Sequence, residues 1–437
     1  MYQEEYANKL MPVKEAAKLI QSNDVIVSSM LSGMPLQLIR EIGARYQELE
    51  NVKIESLFAF EPFNFLTDPE AAKRIRFTTH FMGPVERKLY PMGTFDVNSV
   101  NFSDLPKHMV FEDEPNWFVL QSAPMDENGF FNLGPMGTPF SRMALNRGDL
   151  KIILSVNNKM TKVNNQLKPE KGCYFAAHID EIDYIVEHDE PLPGIPSSTP
   201  TDVEKRIANH IIPNIPDGAT LQVGFGGLSN AVSLGMIGHV EGLKVHTEMI
   251  TESMIELRKK GVITGKIYGA FALGTQALYE FCEEDDNVEL GDISIINNPH
   301  NIAAIDKFVS INACLMVDLT GQVASECIGP RQVSSVGGAM DFVRGSVHSK
   351  GGKSFICVTS TSTDKDGKVS SNIRFALPPA TPVTCPRQDV MNIVTEYGIA
   401  NIRNQPISER VKRLIAVAHP DFRDELTQQA KEAGYIR

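Results

Sequence analysis

The chain has 437 residues, 42% of them hydrophobic, enough to fill more than one core. Its formal net charge is −12, with acidic and basic residues mixed throughout, which argues against nucleic acid or an anionic membrane surface as its main partner. An anionic ligand must therefore be held by local features.

The N-terminus, MYQEEYANKLMPVKEAAKLI, is charged and amphipathic, without the basic start and apolar run of a signal peptide. No run of about 18 apolar residues occurs, so no membrane span is expected. A helix over Val13–Ile20 leads through a polar turn into a strand at Asp24–Ser29. Pro35–Leu49 has helical spacing, with Leu36, Ile39, Ile42 and Tyr46 on one face. Trp117–Leu133 reads as two strands around the turn Asp126–Gly129, an antiparallel hairpin, and Lys151–Val156 reads as a buried strand.

Asp189–Thr201 (DEPLPGIPSSTPT) is a linker. It predicts two domains, 1–190 and 200–437. The second repeats the opening of the first: a helix over Val203–Ile212, a polar turn, then a strand at Ala219–Val223. A helix over Leu228–Ile237 and a strand over Leu243–His246 follow. Ala313–Ser325 has the pattern of a hairpin about a Thr-Gly turn. The expected fold is α/β: two tandem related open α/β domains with mostly parallel sheets. The six cysteines, Cys173, Cys282, Cys314, Cys327, Cys357 and Cys385, form no CxxC pair. They read as small core residues of a reduced, cytoplasmic protein, and no metal is expected.

Four segments could carry chemistry. In Leu221–Ala231 (LQVGFGGLSNA), Gly224, Phe225, Gly226, Gly227 and Leu228 lie where a strand gives way to a helix. Such a loop lets a ligand approach backbone N–H groups, although any tight strand-to-helix turn looks similar. The dinucleotide fingerprint GxGxxG is not met, because Ser229 stands at its third glycine. About twenty residues on, His246-Thr247-Glu248-Met249 follows a strand. Neighbouring parallel strands would bring Glu248 to the same sheet edge as the glycine loop; otherwise it is a solvated loop carboxylate, and His246 a packed strand-end histidine. In Ser334–Arg344 (SSVGGAMDFVR), Gly337 and Gly338 permit close approach, and Asp341 and Arg344 pair with each other or serve a ligand. Asn298 precedes Pro299 in a turn. No GxSxG, HExxH or phosphate-loop motif is present.

These segments, together with SAPMDENGFFNLG (Ser122–Gly134), INACLMVDLTGQV (Ile311–Val323), VTEYGIANIR and IAVAHPDFRDEL, resemble class I CoA-transferases. The match is to the 4-hydroxybutyrate CoA-transferase and acetyl-CoA hydrolase/transferase group and runs over nearly the whole chain. The resemblance implies that Glu248 is the nucleophile and that Gly224–Leu228 contacts CoA and forms the oxyanion site. It implies CoA contacts for Ser334, Gly338 and Lys365, and a nucleophile-orienting role for Asn298. Gly-Phe-Gly and Gly337-Gly338-Ala339 depart from common family forms, which bears on the acid substrate rather than on the nucleophile. Coenzyme A would enter as a substrate, carried between a short-chain acyl-CoA and a small carboxylic acid such as 4-hydroxybutyrate, butyrate or itaconate. A glutamyl-CoA thioester would be the carrier, in a homodimer or dimer of dimers. Hydrolysis of the same intermediate, or CoA binding without catalysis, are the alternatives. The acyl pocket would come from the N-terminal domain, in the loops bearing Met30 and Glu61, although on its local sequence alone Glu61 reads first as an exposed turn residue.

Overall fold

The computed structural model of the protein describes residues 2–136, 140–163, 167–168 and 173–437. The side chain of Cys173 lies outside this set; Cys282, Cys327, Cys357 and Cys385 are buried as free thiols, and Cys314 partly so. The chain forms two compact units: Met1–Pro196 with Ile267–Ile296, and Ser197–Lys266 with Asn297–Arg437.

A seven-stranded sheet lies in the first unit. Its order is Tyr184–Glu187, Lys151–Val156, Trp117–Ser122, Val25–Ser28, Val52–Ser56, Ile75–Thr79, Asp96–Val97. Every pairing in it is parallel. All six residues of Trp117–Ser122 are buried, the signature of a strand covered on both faces. This overturns the hairpin expected over 117–133. Phe130–Asn132 instead pairs antiparallel with Ala176–His178, because the continuous apolar run WFVLQS belongs at the centre of a sheet. The helix expected from Pro35 runs over Leu36–Ala44, burying Leu36, Leu38, Ile39 and Ile42, and gives way to a short 3₁₀ turn at Tyr46–Glu48.

The linker from Asp189 to Thr201 has no regular structure. Ile267–Ile296 groups with the first unit. There Tyr279 Oη donates to the Pro193 carbonyl over 2.8 Å, and Gln276 Nε2 donates to Thr161 Oγ1 over 3.1 Å.

An eight-stranded sheet has the order Val288–Leu290, Ile263–Ala272, Leu243–Ile250, Thr220–Val223, Phe308–Ala313, Lys353–Cys357, Asn392–Thr395, Gly398–Asn401. The last pair is antiparallel. The registers of Thr220–Val223 with both neighbours, and of Phe308–Ala313 with Lys353–Cys357, are parallel. Thr201 starts the helix Asp202–Ile211 through a reciprocal capping box with Glu204. The Thr-Gly turn forms as expected: Met316–Asp318 pairs antiparallel with Val323–Ala324, and Asp318 Oδ1 accepts from the backbone N–H groups of Thr320 and Gln322. The two sheets, mostly parallel and served by helices, give the expected α/β architecture in tandem.

Candidate active site

The site assembles in the second unit at the carboxyl edge of its sheet. Thr220 and Leu221 register with Lys244 and Val245. Two residues on, Thr247 Oγ1 reaches the Val223 carbonyl at 3.5 Å. The next residue, Glu248, therefore stands level with the Gly224–Leu228 loop, where open α/β sheets take ligands. His246, on the same strand, is buried edge-on against Phe308 and Phe342, with ring centroids 5.9 and 6.5 Å away.

In the loop, Gly226 has φ 111°, a backbone conformation open in practice only to glycine, and it caps the helix Gly227–Gly235. At Gly227 a side chain would meet the Glu204 carboxylate, whose Oε2 would lie 2.6 Å from the added carbon. Phe225 is 46% exposed. The loop thus offers an aromatic face and backbone N–H groups at a helix start, suited to an anion or an oxyanion.

Glu248 is held from two sides. Asn297 Nδ2 donates to its Oε2 over 2.7 Å, and the Gly338 backbone N–H donates to the same carboxylate. Gly338 can be nothing larger: a Cβ there would collide with Glu248 Oε2 and Asn297 Nδ2. Burial is the chief force on the carboxyl group and raises its pKa from 4.5 to about 7; the Asp341 charge adds to this, while the bonds from Asn297 and Gly338 oppose it. Part of the residue's surface still opens to solvent.

The asparagine at the carboxylate is thus Asn297. Asn298 has a separate, local role. Its Oδ1 accepts from the His300 N–H over 2.9 Å and caps the short helix Pro299–Ala303. An Asn-Pro step makes the second asparagine the cap and turns the first inward. Asp341, buried on the helix Ala339–His348, faces Glu248 electrostatically, and Arg344 pairs instead with Asp389 over 3.3 Å. Ser334 is buried with its hydroxyl lacking a hydrogen-bond partner. Lys365 sits at the exposed tip of the hairpin joining Thr361–Thr363 to Val369–Ser371.

Met30 and Glu61 lie in the first unit, in loops after the neighbouring strands Val25–Ser28 and Val52–Ser56. Met30 is buried. Next to it Leu31 has φ 52°, and Phe58, beyond the adjacent strand, has φ 58°. Two bulky residues in the left-handed region at neighbouring strand ends are strained, a pattern that clusters at ligand sites. Glu61 receives a bidentate pair from Arg40, Nε and Nη2 each at 2.7 Å, and Glu190 Oε2 lies 3.3 Å from Nη1 and Nη2 of the same guanidinium. Glu61 is therefore a paired carboxylate, and Arg40 is a residue that the sequence pattern does not single out.

A carboxylate held by an amide and a glycine N–H beside a glycine-rich strand end suits acyl or CoA transfer. The comparisons agree. Residues 1–196 match the acetyl-CoA hydrolase/transferase N-terminal domain and residues 274–430 its C-terminal domain. The chain is 36% identical to the butyryl-CoA:acetate CoA-transferase of Anaerostipes caccae, covering 100% of this chain and 99% of that protein. It is 36% identical to the succinyl-CoA:cyclohexane-1-carboxylate CoA transferase of Geobacter metallireducens, covering 100% and 98%. The crystal structure of RipA from Yersinia pestis superposes with a TM-score of 0.90 at 32% identity, covering 100% of both chains. The chain belongs to the acetyl-CoA hydrolase/transferase family and is a CoA-transferase. Among the described residues, no helix is long and apolar enough to cross a membrane.

Proposed function

We propose that the protein moves CoA between a short-chain acyl-CoA and a small monocarboxylic acid, with Glu248 as covalent carrier. The observation that carries this reading is the Glu248 carboxylate itself: buried enough to be poorly solvated, and held by Asn297 at Oε2 and by the Gly338 N–H.

A carboxylate in water is a weak nucleophile; desolvation and positioning make it a stronger one. Glu248 attacks the thioester carbonyl and expels CoA thiolate, forming an acyl-glutamyl anhydride. The thiolate attacks the glutamyl carbonyl and expels the first acid, leaving a glutamyl-CoA thioester. A second acid attacks that thioester, releases CoA thiolate and forms a new anhydride. The thiolate then takes the new acyl group and frees Glu248. N–H groups of the Gly224–Leu228 loop and of Gly338 suit the tetrahedral oxyanions. Phe225, Ser334 and Lys365 are assigned to CoA itself: an aromatic surface, a buried hydroxyl and a cation for its phosphates.

Selection of the acid is assigned to the loops bearing Met30 and Glu61. Arg40 is the cation there, and its charge is balanced by Glu61 and Glu190. That favours a neutral or hydroxylated acyl tail, of the butyrate or 4-hydroxybutyrate kind, over a dicarboxylate such as succinate or itaconate. The acceptor acids in two relatives' names, acetate and cyclohexane-1-carboxylate, are monocarboxylates, and their donors are butyryl-CoA and succinyl-CoA. The test is a panel of acceptor acids against acetyl-CoA and succinyl-CoA. Parallel double-reciprocal lines with monocarboxylates leading are expected. CoA release that ignores the acceptor would instead mean hydrolysis.

A further inference from the structure

A second polar cluster lies in the first unit, among residues that the transfer chemistry does not use. It joins Glu55 at the end of one strand, His80 just past the next, Asn98, and a helical segment ending at Asp113. His80 is fully buried and Glu55 nearly so; His80 Nε2 lies 3.0 Å from Glu55 Oε2. With that bond made by an Nε2 proton, the other nitrogen, Nδ1, carries a lone pair, and it is buried without a hydrogen-bond partner. Asp113 Oδ2 is likewise buried without one. Isolated lone pairs of this sort are costly in a protein interior.

The third member is His108. Asn98 Nδ2 lies 2.8 Å and Asp113 Oδ2 3.2 Å from His108 Nε2. A proton on Nε2, or a cation between the two atoms, joins His108 to Asp113. A tetrahedral ion with bonds of ~2.0–2.1 Å holds its ligands about 3.3–3.4 Å apart, close to the separation seen. One ligand atom each from His80, His108 and Asp113 lie within 4.8 Å of one another. His108 opens the segment His108–Glu112, a π-helical turn. Such turns are rare and recur at functional sites, and here the five-residue spacing puts His108 and Asp113 on one side.

We propose that His80, His108 and Asp113 bind a first-row divalent cation of the zinc type, with Glu55 orienting His80 through its outer nitrogen. Two imidazoles and one carboxylate select such an ion over magnesium or calcium. A carboxylate behind a ligating histidine is the usual outer partner, fixing tautomer and ring. His108 is about one-fifth exposed and marks the side from which the ion enters. The ion's role is structural: it fastens the segment after Ile75–Thr79 to the turn at 108–113. These residues match no linear metal motif, so the sequence alone predicts no metal.

The full chain, stripped with a chelator, is titrated with Co²⁺ and separately with Zn²⁺. The proposal expects one tight equivalent of Co²⁺ with the visible absorption bands of a four-coordinate nitrogen–oxygen site, and a rise in melting temperature with Zn²⁺. His108→Ala and, independently, Asp113→Asn should lose both signals, while Glu248→Ala keeps both. Asp113→Asn stands in should the alanine variant fail to fold. Absence of bands and of a thermal shift in the unmodified protein overturns the proposal. So does an unchanged titration of the two variants, which would place the metal elsewhere. A melting temperature that responds to pH but not to metal would overturn it too, showing that a proton fills the gap instead.

Discussion

Asn297 Nδ2 donates to Glu248 Oε2 over 2.7 Å, and this bond opposes the burial that pushes the carboxyl group up to about 7. The amide favours the charged form, which is the attacking form in the proposed mechanism, while the surrounding protein disfavours it. The balance of these two forces sets how much of the enzyme is reactive near neutrality.

Removing the amide therefore has a direction. In Asn297→Ala the Glu248 pKa rises further, and the carboxylate also loses its orientation. The rate of covalent loading by acyl-CoA should fall by about 10²-fold, with its pH midpoint displaced upward. Rapid-mixing intact mass measurement across pH reads both. An Asn298→Ala variant should weaken only the cap of Pro299–Ala303, costing about 1 kcal/mol of stability and leaving the pH midpoint in place.

Gly338 is a steric prediction. Any Cβ at this position strikes Glu248 Oε2 and Asn297 Nδ2, so Gly338→Ala must displace the Glu248 carboxylate. Transfer should drop at least about 10²-fold, since misplacement by roughly 1 Å costs that much. The melting temperature should change far less than it would for loss of a core side chain. Activity assays and calorimetry on the same preparation check this.

The raised pKa of Glu248 ties stability to pH. Its folded pKa lies above the usual 4.5, so the folded state holds this proton more tightly than the unfolded state. The associated stability is full below 4.5 and is lost as pH rises to about 7. Glu248→Gln removes the dependence. It should be more stable than the parent well above neutral pH, by on the order of 2 kcal/mol, and about equal in acid. Asp341→Asn removes a like charge, so it should move the loading midpoint toward lower pH. Denaturant unfolding across pH, and loading rates, test the pair.

Much of this site is legible in the sequence, and the limits of that reading are physical. HTEM lies in the last part of the strand Leu243–Ile250, the parallel neighbour of the strand leading into GFGG, and marks Glu248, because strand order in an open sheet fixes which strand ends meet. Which of two adjacent asparagines turns inward depends on the backbone at Pro299, and sequence does not display that. Asp341 and Arg344 are spaced to pair along their helix, yet Arg344 reaches Asp389, 45 positions along. Arg40 sits in an amphipathic helix like any surface arginine; only the folded chain brings Glu61 to it, 21 residues on. The strand Trp117–Ser122 looks like half of a hairpin because the turn signal after it is local, whereas its burial between two parallel neighbours is not.

The Arg40–Glu61 pair gives a specificity prediction. In Glu61→Gln the guanidinium keeps Glu190 but loses its bidentate partner, so the cluster loses its excess negative charge and becomes formally neutral. Relative kcat/KM for succinate over butyrate as acceptor should rise about tenfold. The pair is partly exposed, 37% and 26% for the two side chains, so stability should change by under about 1 kcal/mol. Acceptor competition assays would read the ratio, and an unchanged ratio would remove Glu61 from acid selection.

The most direct test of the central claim is intact-protein mass spectrometry after mixing with acyl-CoA in the absence of any acceptor acid. Glu248 as covalent carrier predicts a mass gain equal to CoA minus water, placed on Glu248 by peptide mapping, discharged by added acid and absent from Glu248→Ala. A Glu248→Ala protein that still exchanges CoA at the parent rate, or an adduct located on another residue, would contradict it.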